Sequence, residues 1–411
     1  MTYVNRNKTH IHSLKYTDVG QDHGILVSIV HNKLVAHLLG VEGMAQRLCC
    51  SRYVGVSTLM EKNYRFVDTS KNTSVEKTAS FAILVAVYNG SKYLKRFLDS
   101  LRKQTLKDIQ VICVDDGSTD NSWEILQSYA AVDQRIEIYH LNQNYGAAHA
   151  RNEGIRYINA RYTTFLDCDD TFEPDALEEA LQTFEKRRQV DCVLFKLITI
   201  RGDNSTAQEY AMDFFEERSG YEAFKNSLTW KIHGVYAAKT FLFKQFPYDD
   251  TCKTYSDDNS TRLHYLFSKQ VGCCHGEYYY HYNPHSVTHI ISGSRFEYLR
   301  ANESMKKLLI QYNVSDDILT IYENERWLIL IDLYYFHYSY RKQLSAEDLA
   351  MGMRELHRVW SGIEVDRLYK RLKYKFGYMP LPFSWKIFRI QEEVYFNLRS
   401  IFRRGRQHTM N

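Results

Sequence analysis

From Phe81 onward the chain alternates short apolar, β-branched runs with segments whose apolar residues recur every three or four positions. The first run, FAILVAV at 81–87, predicts a buried strand. The next, SKYLKRFLDSLRKQ, places Tyr93, Leu94, Phe97, Leu98 and Leu101 on one helical face, with Ser91 as its N-cap. Further strands are expected at 109–116 (IQVICVDD), 135–140 (RIEIYH), 162–167 (YTTFLD) and 191–200 (DCVLFKLITI). Helices fill the gaps as NSWEILQSYAA, GAAHARNEGIRYIN and a third that runs to Lys186 with Pro174 in its first turn. This alternation predicts parallel strands joined by crossover helices, an α/β sheet that binds ligands beyond the carboxyl ends of its strands.

The rhythm has limits. Residues 1–78 lack it, and DTSKNTSVEKTAS, just before the first strand, reads as a linker. Beyond 290 the pattern turns helical and aromatic, as in YENERWLILIDLYYFHYSYRKQ. Three regions are therefore expected: an extension over 1–78, an α/β domain over 79–290 and a helical, basic region over 291–411. Within WKIFRIQEEVYFNLRSIFRRGR, Ile387, Ile390, Val394, Leu398 and Ile401 join Phe388, Tyr395 and Phe402 in one broad apolar stripe. Lys386, Arg389, Arg399, Arg403 and Arg404 surround it. Such a helix either lies on an anionic membrane surface or packs on protein, and the pattern leaves both open.

Composition narrows the classes. With 44% apolar and 25% charged residues in 411, the chain is globular and large enough for more than one core. Its eight cysteines form no CxxC pair, which argues against a zinc site or a disulfide framework and for a reducing compartment. The apolar run at 24–41 is interrupted by His31, Asn32 and Lys33, so no membrane span is expected, and residues 1–10 lack the apolar core of a signal peptide. The expected location is the cytoplasm, with the tail allowing a peripheral position on the inner face of the membrane. Residues 361–411 hold eleven Lys/Arg against four Asp/Glu, a net of +7, so the remaining chain is −3 within a total of +4. That basic block stands alone without a nucleic-acid-binding motif, so nucleic acid is not an expected partner.

Candidate chemistry sits at strand ends. VDDGSTD carries Asp115, Asp116 and Asp120, and LDCDD carries Asp167, Asp169 and Asp170. Clustered carboxylates repel and are costly to bury, so a cation or hydrogen-bond donors are expected beside them. A hard divalent ion, Mn²⁺ or Mg²⁺, takes one or two carboxylates and completes its shell with water and phosphate oxygens. A third pair, Asp257 and Asp258, stands before the apolar run 263–267, where carboxylates also favour a helix N-terminus.

Taken in order, VAVYNGSKYL, QTLKDIQVICVDDGSTDNS, NQNYGAAHARNEGI, YTTFLDCDDTFEPDAL and YSDDN resemble the inverting family 2 glycosyltransferases of GT-A fold, particularly bacterial enzymes of capsule or lipooligosaccharide synthesis. The resemblance spans about 81–290. It implies a mixed sheet flanked by helices, a UDP-sugar donor and a glycan or lipid-linked glycan acceptor. Ala86, Val87 and Tyr88 would hold the nucleoside together with Asp115 and Asp116, the latter accepting from uracil. Arg151 and Asn152 would shape the donor pocket, with Asp167 and Cys168 near the donor sugar. Asp169 or Asp170 would hold the metal on the diphosphate, and Asp258 would be the catalytic base. Ala86 stands where many relatives have Pro, Ser91 where they have Glu, and His281 where an Arg is common, which would make a phosphate contact there sensitive to pH.

Other readings use the same residues. FLDCDDT also fits the nucleophile motif of haloacid-dehalogenase-like phosphatases, with Asp167 phosphorylated. That motif normally follows the first strand of its domain, whereas three strands precede it here. A receiver-like signalling module needs its acidic pair after its first strand, an order this chain lacks. A non-catalytic protein that binds a nucleotide sugar would carry the same three motifs.

Overall fold

The computed structural model describes residues 78–202, 206–284, 286 and 290–408. The apolar run at 24–41, Cys49, Cys50 and residues 1–77 of the expected extension lie outside the described residues, as do the side chains of Ile401 and Phe402.

The chain-order elements of the first half are β1 (Ala79–Val87), α1 (Ser91–Arg102), β2 (Ile109–Asp115), α2 (Ser122–Ala130), β3 (Ile136–His140), α3 (Ala147–Ile155), β4 (Ala160–Phe165), β5 (Thr171–Phe172), α4 (Ala176–Lys186) and β6 (Val190–Arg201). They are followed by β7 (Thr206–Glu209), β8 (Arg218–Ser219), α5 (Gly220–Leu228), β9 (Tyr236–Lys239), α6 (Thr240–Gln245), α7 (Asp257–Leu266) and β10 (Gln270–His281). Ten strands form one sheet with the spine β3-β2-β1-β4-β9-β6-β10-β5. Strands β1 to β4 pair in parallel, whereas β9 runs antiparallel to both β4 and β6. The sheet is therefore mixed. An all-parallel reading from the βα rhythm fails at β9, a four-residue strand, YAAK, with no β-branched residue to mark it.

Helix α1 buries Leu94, Phe97, Leu98 and Leu101, as its period predicts. Its first turn differs from expectation: Ser91 is the first helical residue, and its amide donates to Asp120 Oδ2 at 3.0 Å. Asp120 Oδ1 accepts from the Ser122 amide at 3.0 Å, so one carboxylate caps both α1 and α2. Pro174 lies before Asp175, the N-cap of α4, and not in its first turn.

Beyond the sheet come α8 (Glu297–Gln311), α9 (Asp316–Tyr340), α10 (Ala346–Ser361), α11 (Lys370–Lys373) and α12 (Trp385–His408). They share a second core built on Trp327, Leu330, Tyr334, Leu356, Phe388 and Phe396. Helix α12 divides its apolar residues between two faces. Phe388 and Phe396 are buried, with Gln391 and Glu392 between them, while Ile387, Ile390, Val394 and Leu398 are 43–56% exposed. The single stripe expected from sequence is thus an aromatic seam facing inward and an aliphatic row facing out.

Candidate active site

The carboxyl ends of β1, β2 and β4 lie side by side because Val87 pairs with Asp115 and Leu84 with Phe165. Their following loops carry the first two acidic motifs. At the end of β1, Val87 is buried, Ala86 is half-buried and Tyr88 is exposed. The loop after β2 turns sharply at Gly117, whose φ is +69° and where a Cβ would meet the Gln143 backbone at 2.6 Å. No side chain fits there.

Asp115 and Asp116 are both buried. Asp116 accepts from the amides of Tyr145 at 2.8 Å and Gly146 at 2.7 Å, which ties the loop before α3 to the end of β2. Burial raises its carboxyl from the usual range, and those two amides pull it back. Asp115 Oδ2 meets His140 Nδ1 at 2.7 Å and the Ser118 amide at 3.3 Å, while Oδ1 is buried without a protein partner.

After β4, the three carboxylates of LDCDD have separate surroundings. The side chain of Asp167 is half exposed and pairs with Arg151. Asp169 Oδ2 accepts from Asn283 Nδ2 at 3.2 Å. Asp170 is buried, accepting from the Tyr278 hydroxyl at 2.6 Å and the His281 amide at 2.9 Å. Burial, reinforced by Asp167 and Asp169, pushes its carboxyl well above the usual range. Both Asp170 oxygens are engaged by protein, so Asp169 is the carboxylate of this pair with capacity for a metal. Cys168 packs against Gly90, with Sγ 2.9 Å from the place a Cβ there would occupy, and burial raises its thiol far above a reactive range.

Arg151 unites the site. Its side chain, on α3, is 2% exposed, and Nη2 pairs with Asp167 while Nη1 lies 3.4 Å from Asp257. The guanidinium sits 4.9 Å from the Phe165 ring and 5.2 Å from that of Tyr248. A buried cation of this kind needs two carboxylates, and it draws them from motifs 90 residues apart in the chain. Its neighbour Asn152 exchanges both amide atoms with the Tyr248 backbone at 2.7 and 2.8 Å, fixing the loop before α7.

Asp257 and Asp258 open α7, with Ser256 at the N-cap. Asp258 is half-buried, and desolvation raises its carboxyl to about 6 against the pull of Arg262, one turn along the helix. The helical region supports this end from behind. Thr254 Oγ1 donates to Glu297 Oε2 at 2.7 Å, and Asn259 Nδ2 donates to the Ala301 carbonyl at 2.8 Å.

His281 is the expected residue whose environment departs most from expectation. Burial, with Arg96 nearby, lowers its imidazole to about 4, and Nε2 lies 2.9 Å from the Thr171 hydroxyl. It is neutral near pH 7 and does not replace an arginine's charge. Besides Arg151 at Asp167, a second positive group beside LDCDD is Arg96 on α1, bonded to the Asp169 carbonyl. Arg96, Asn283 and Tyr278 escaped the sequence reading, since none lies within an acidic motif. Arg262 was detectable from its position four residues after Asp258.

Residues 82–250 match the model of glycosyl transferase family 2. This chain contains a family 2 glycosyltransferase domain. EpsH of Bacillus subtilis is 41% identical over 107 residues, 26% of this chain and 31% of EpsH. The glycosyltransferase GlyG of Streptococcus pneumoniae serotype 4 is 27% identical over 201 residues, 46% of this chain and 66% of GlyG. Chondroitin synthase of Escherichia coli is 35% identical over 130 residues, 32% of this chain and 19% of the synthase. The aligned parts thus span between a fifth and two thirds of these relatives. Among solved structures, residues 1–349 of Staphylococcus aureus TarS in complex with UDP-GlcNAc superpose with a TM-score of 0.58 at 19% identity, covering 79% of this chain and 92% of that one. The family 2 glycosyltransferase domain has the expected GT-A fold, and the phosphatase reading of FLDCDDT falls with it: Asp167 follows the fourth strand and is paired with a buried arginine.

Proposed function

We propose that this protein is a metal-dependent inverting glycosyltransferase that moves a sugar from a UDP-sugar to a hydroxyl of a glycan in bacterial surface polysaccharide synthesis. The observation that carries it is the Arg151 bridge, which joins Asp167 to Asp257, the neighbour of Asp258. Residues 79–290 would act as the catalytic domain and 291–411 as its support. The UDP and UDP-GlcNAc held by TarS favour a uridine nucleotide. In this reading the exposed Tyr88, with Asp115 and Asp116 at the end of β2, holds the nucleoside.

The site suits a divalent ion. Among the described residues no cluster of three or more His, Cys, Asp or Glu is arranged to hold a metal alone. In this reading an ion would bind through Asp169, with water and diphosphate oxygens completing its shell. Bound Mn²⁺ or Mg²⁺ would supply charge that stabilises the departing diphosphate. The chain's own groups do the rest. Asp258 accepts the acceptor's hydroxyl proton as that oxygen bonds the anomeric carbon, and the bond from that carbon to the diphosphate oxygen breaks with its electron pair leaving on UDP. Attack from the opposite face inverts the configuration. The test is a titration of the full chain with nucleotide sugars in Mn²⁺ and then in chelator, paired with Asp258→Asn. Retained binding with lost transfer fits; metal-independent binding, or normal turnover of Asp258→Asn, removes the assignment.

The outward row of α12 favours a lipid surface as an additional partner. Ile387, Ile390, Val394 and Leu398 are exposed beside Lys386, and Phe383 just ahead of the helix is 71% exposed. No helix among the described residues is long and apolar enough to cross a membrane. Ile390→Glu with Val394→Glu should weaken sedimentation with phosphatidylglycerol vesicles without changing nucleotide binding. Unchanged sedimentation removes this partner. Deleting the helix is the poorer test, because it strips Phe388 and Phe396 from the core.

A further inference from the structure

Trp230 lies in the turn after α5, its ring under the Arg262 guanidinium of α7, and three features of it are unlike a packing residue. Its side chain is 47% exposed. Its φ is +55°, a left-handed conformation that is costly for a bulky residue and persists only when neighbours hold it. They do: its amide donates to the Ser227 carbonyl, the Lys231 amide to the Asn226 carbonyl, and Tyr210 donates to its own carbonyl. The indole also has a cation over its ring. Arg262 is buried and lies 5.6 Å from the ring centroid. Arg262 is the same residue that stands four positions after Asp258 on α7.

One buried guanidinium therefore acts electrostatically on the proposed base and lies over an exposed indole. A ring kept for packing would be covered; this one is strained into the open and locked there. A flat apolar face with a polar surround matches the face of a pyranose, where axial C–H bonds gather and hydroxyls point outward. Resting on the glycosyltransferase reading above, we propose that Trp230 is the stacking platform for the acceptor sugar, presenting its hydroxyl toward Asp258. The same turn contributes Asn226 and Lys231 to an open cleft of about 690 Å³ that also includes Arg218 and Glu222. That cleft offers donors and acceptors of both kinds to sugars beyond the one on the ring.

Saturation-transfer NMR on the full chain tests this with the methyl β-glycosides of glucose, galactose and N-acetylglucosamine, because it reads sugar contact without needing the nucleotide. The expected result is strong saturation of protons on one ring face, falling about tenfold in Trp230→Asn and largely retained in Trp230→Phe. Asparagine tolerates the left-handed backbone, so thermal midpoint and UDP-sugar titration should stay as in the wild type. Equal saturation in Trp230→Asn, or none of the three sugars contacting the wild type, would overturn the platform. A wild type that contacts these sugars through Trp230 yet binds no nucleotide would instead sink the glycosyltransferase reading and leave a carbohydrate site standing.

Discussion

Asp258 needs its negative charge to accept a proton, and its carboxyl is raised to about 6. Transfer should therefore rise as pH climbs through that value and level off above it. Arg262 lowers the carboxyl, so Arg262→Gln should move the rising limb to higher pH, which a pH profile of kcat would register. A limb that stays in place would mean another group is the base. The two neighbouring aspartates of LDCDD should separate in the same way. Asp169→Asn should abolish the Mn²⁺ dependence of nucleotide affinity with little change in melting. Asp170→Ala should lower the melting temperature first, because it frees the Tyr278 hydroxyl and the His281 amide. Asp167, Asp169 and Asp258 stood out in the sequence as clustered carboxylates, and the resemblance to family 2 gave them their expected roles. Nothing local signalled that Arg151 would join Asp167 to Asp257, because that contact depends on how α3, β4 and α7 are brought together.

At the scale of elements, Asp120 ties two helices to one loop, so Asp120→Ala should cost about 1–2 kcal/mol, measured by urea unfolding. A loss of a few tenths would mean that water replaces it at both caps. The first four strands were legible because apolar runs such as FAILVAV can be stable only when covered. Strand β9 was not, since four residues reading YAAK carry no period and become a strand only between β4 and β6. Helix α12 shows the complementary limit. Its period was read correctly, but the face that packs was not, because the core accepts Gln391 and Glu392 alongside Phe388 and Phe396.

Across the whole molecule, the second core carries an unpaired acid. Glu392 is fully buried, its Oε2 has no partner, and burial raises it to about 8. The folded state thus holds a proton that the unfolded chain releases near pH 4.5, so this group's favourable contribution is complete below that pH and is lost as pH rises through 8. Glu392→Gln should leave stability unchanged at pH 4.5 and raise it at pH 8 by on the order of 2 kcal/mol or more, read from urea midpoints at the two pH values. The sheet order has a consequence for synthesis. Strands β1 to β4 can pair as soon as they leave the ribosome, but β4 and β6 stay unbridged until β9 follows them, and β5 waits for β10. A nascent chain halted after β6 therefore offers the bare edges of β4, β5 and β6 to its neighbours, and chaperone demand should peak at that length and fall once residue 281 has emerged.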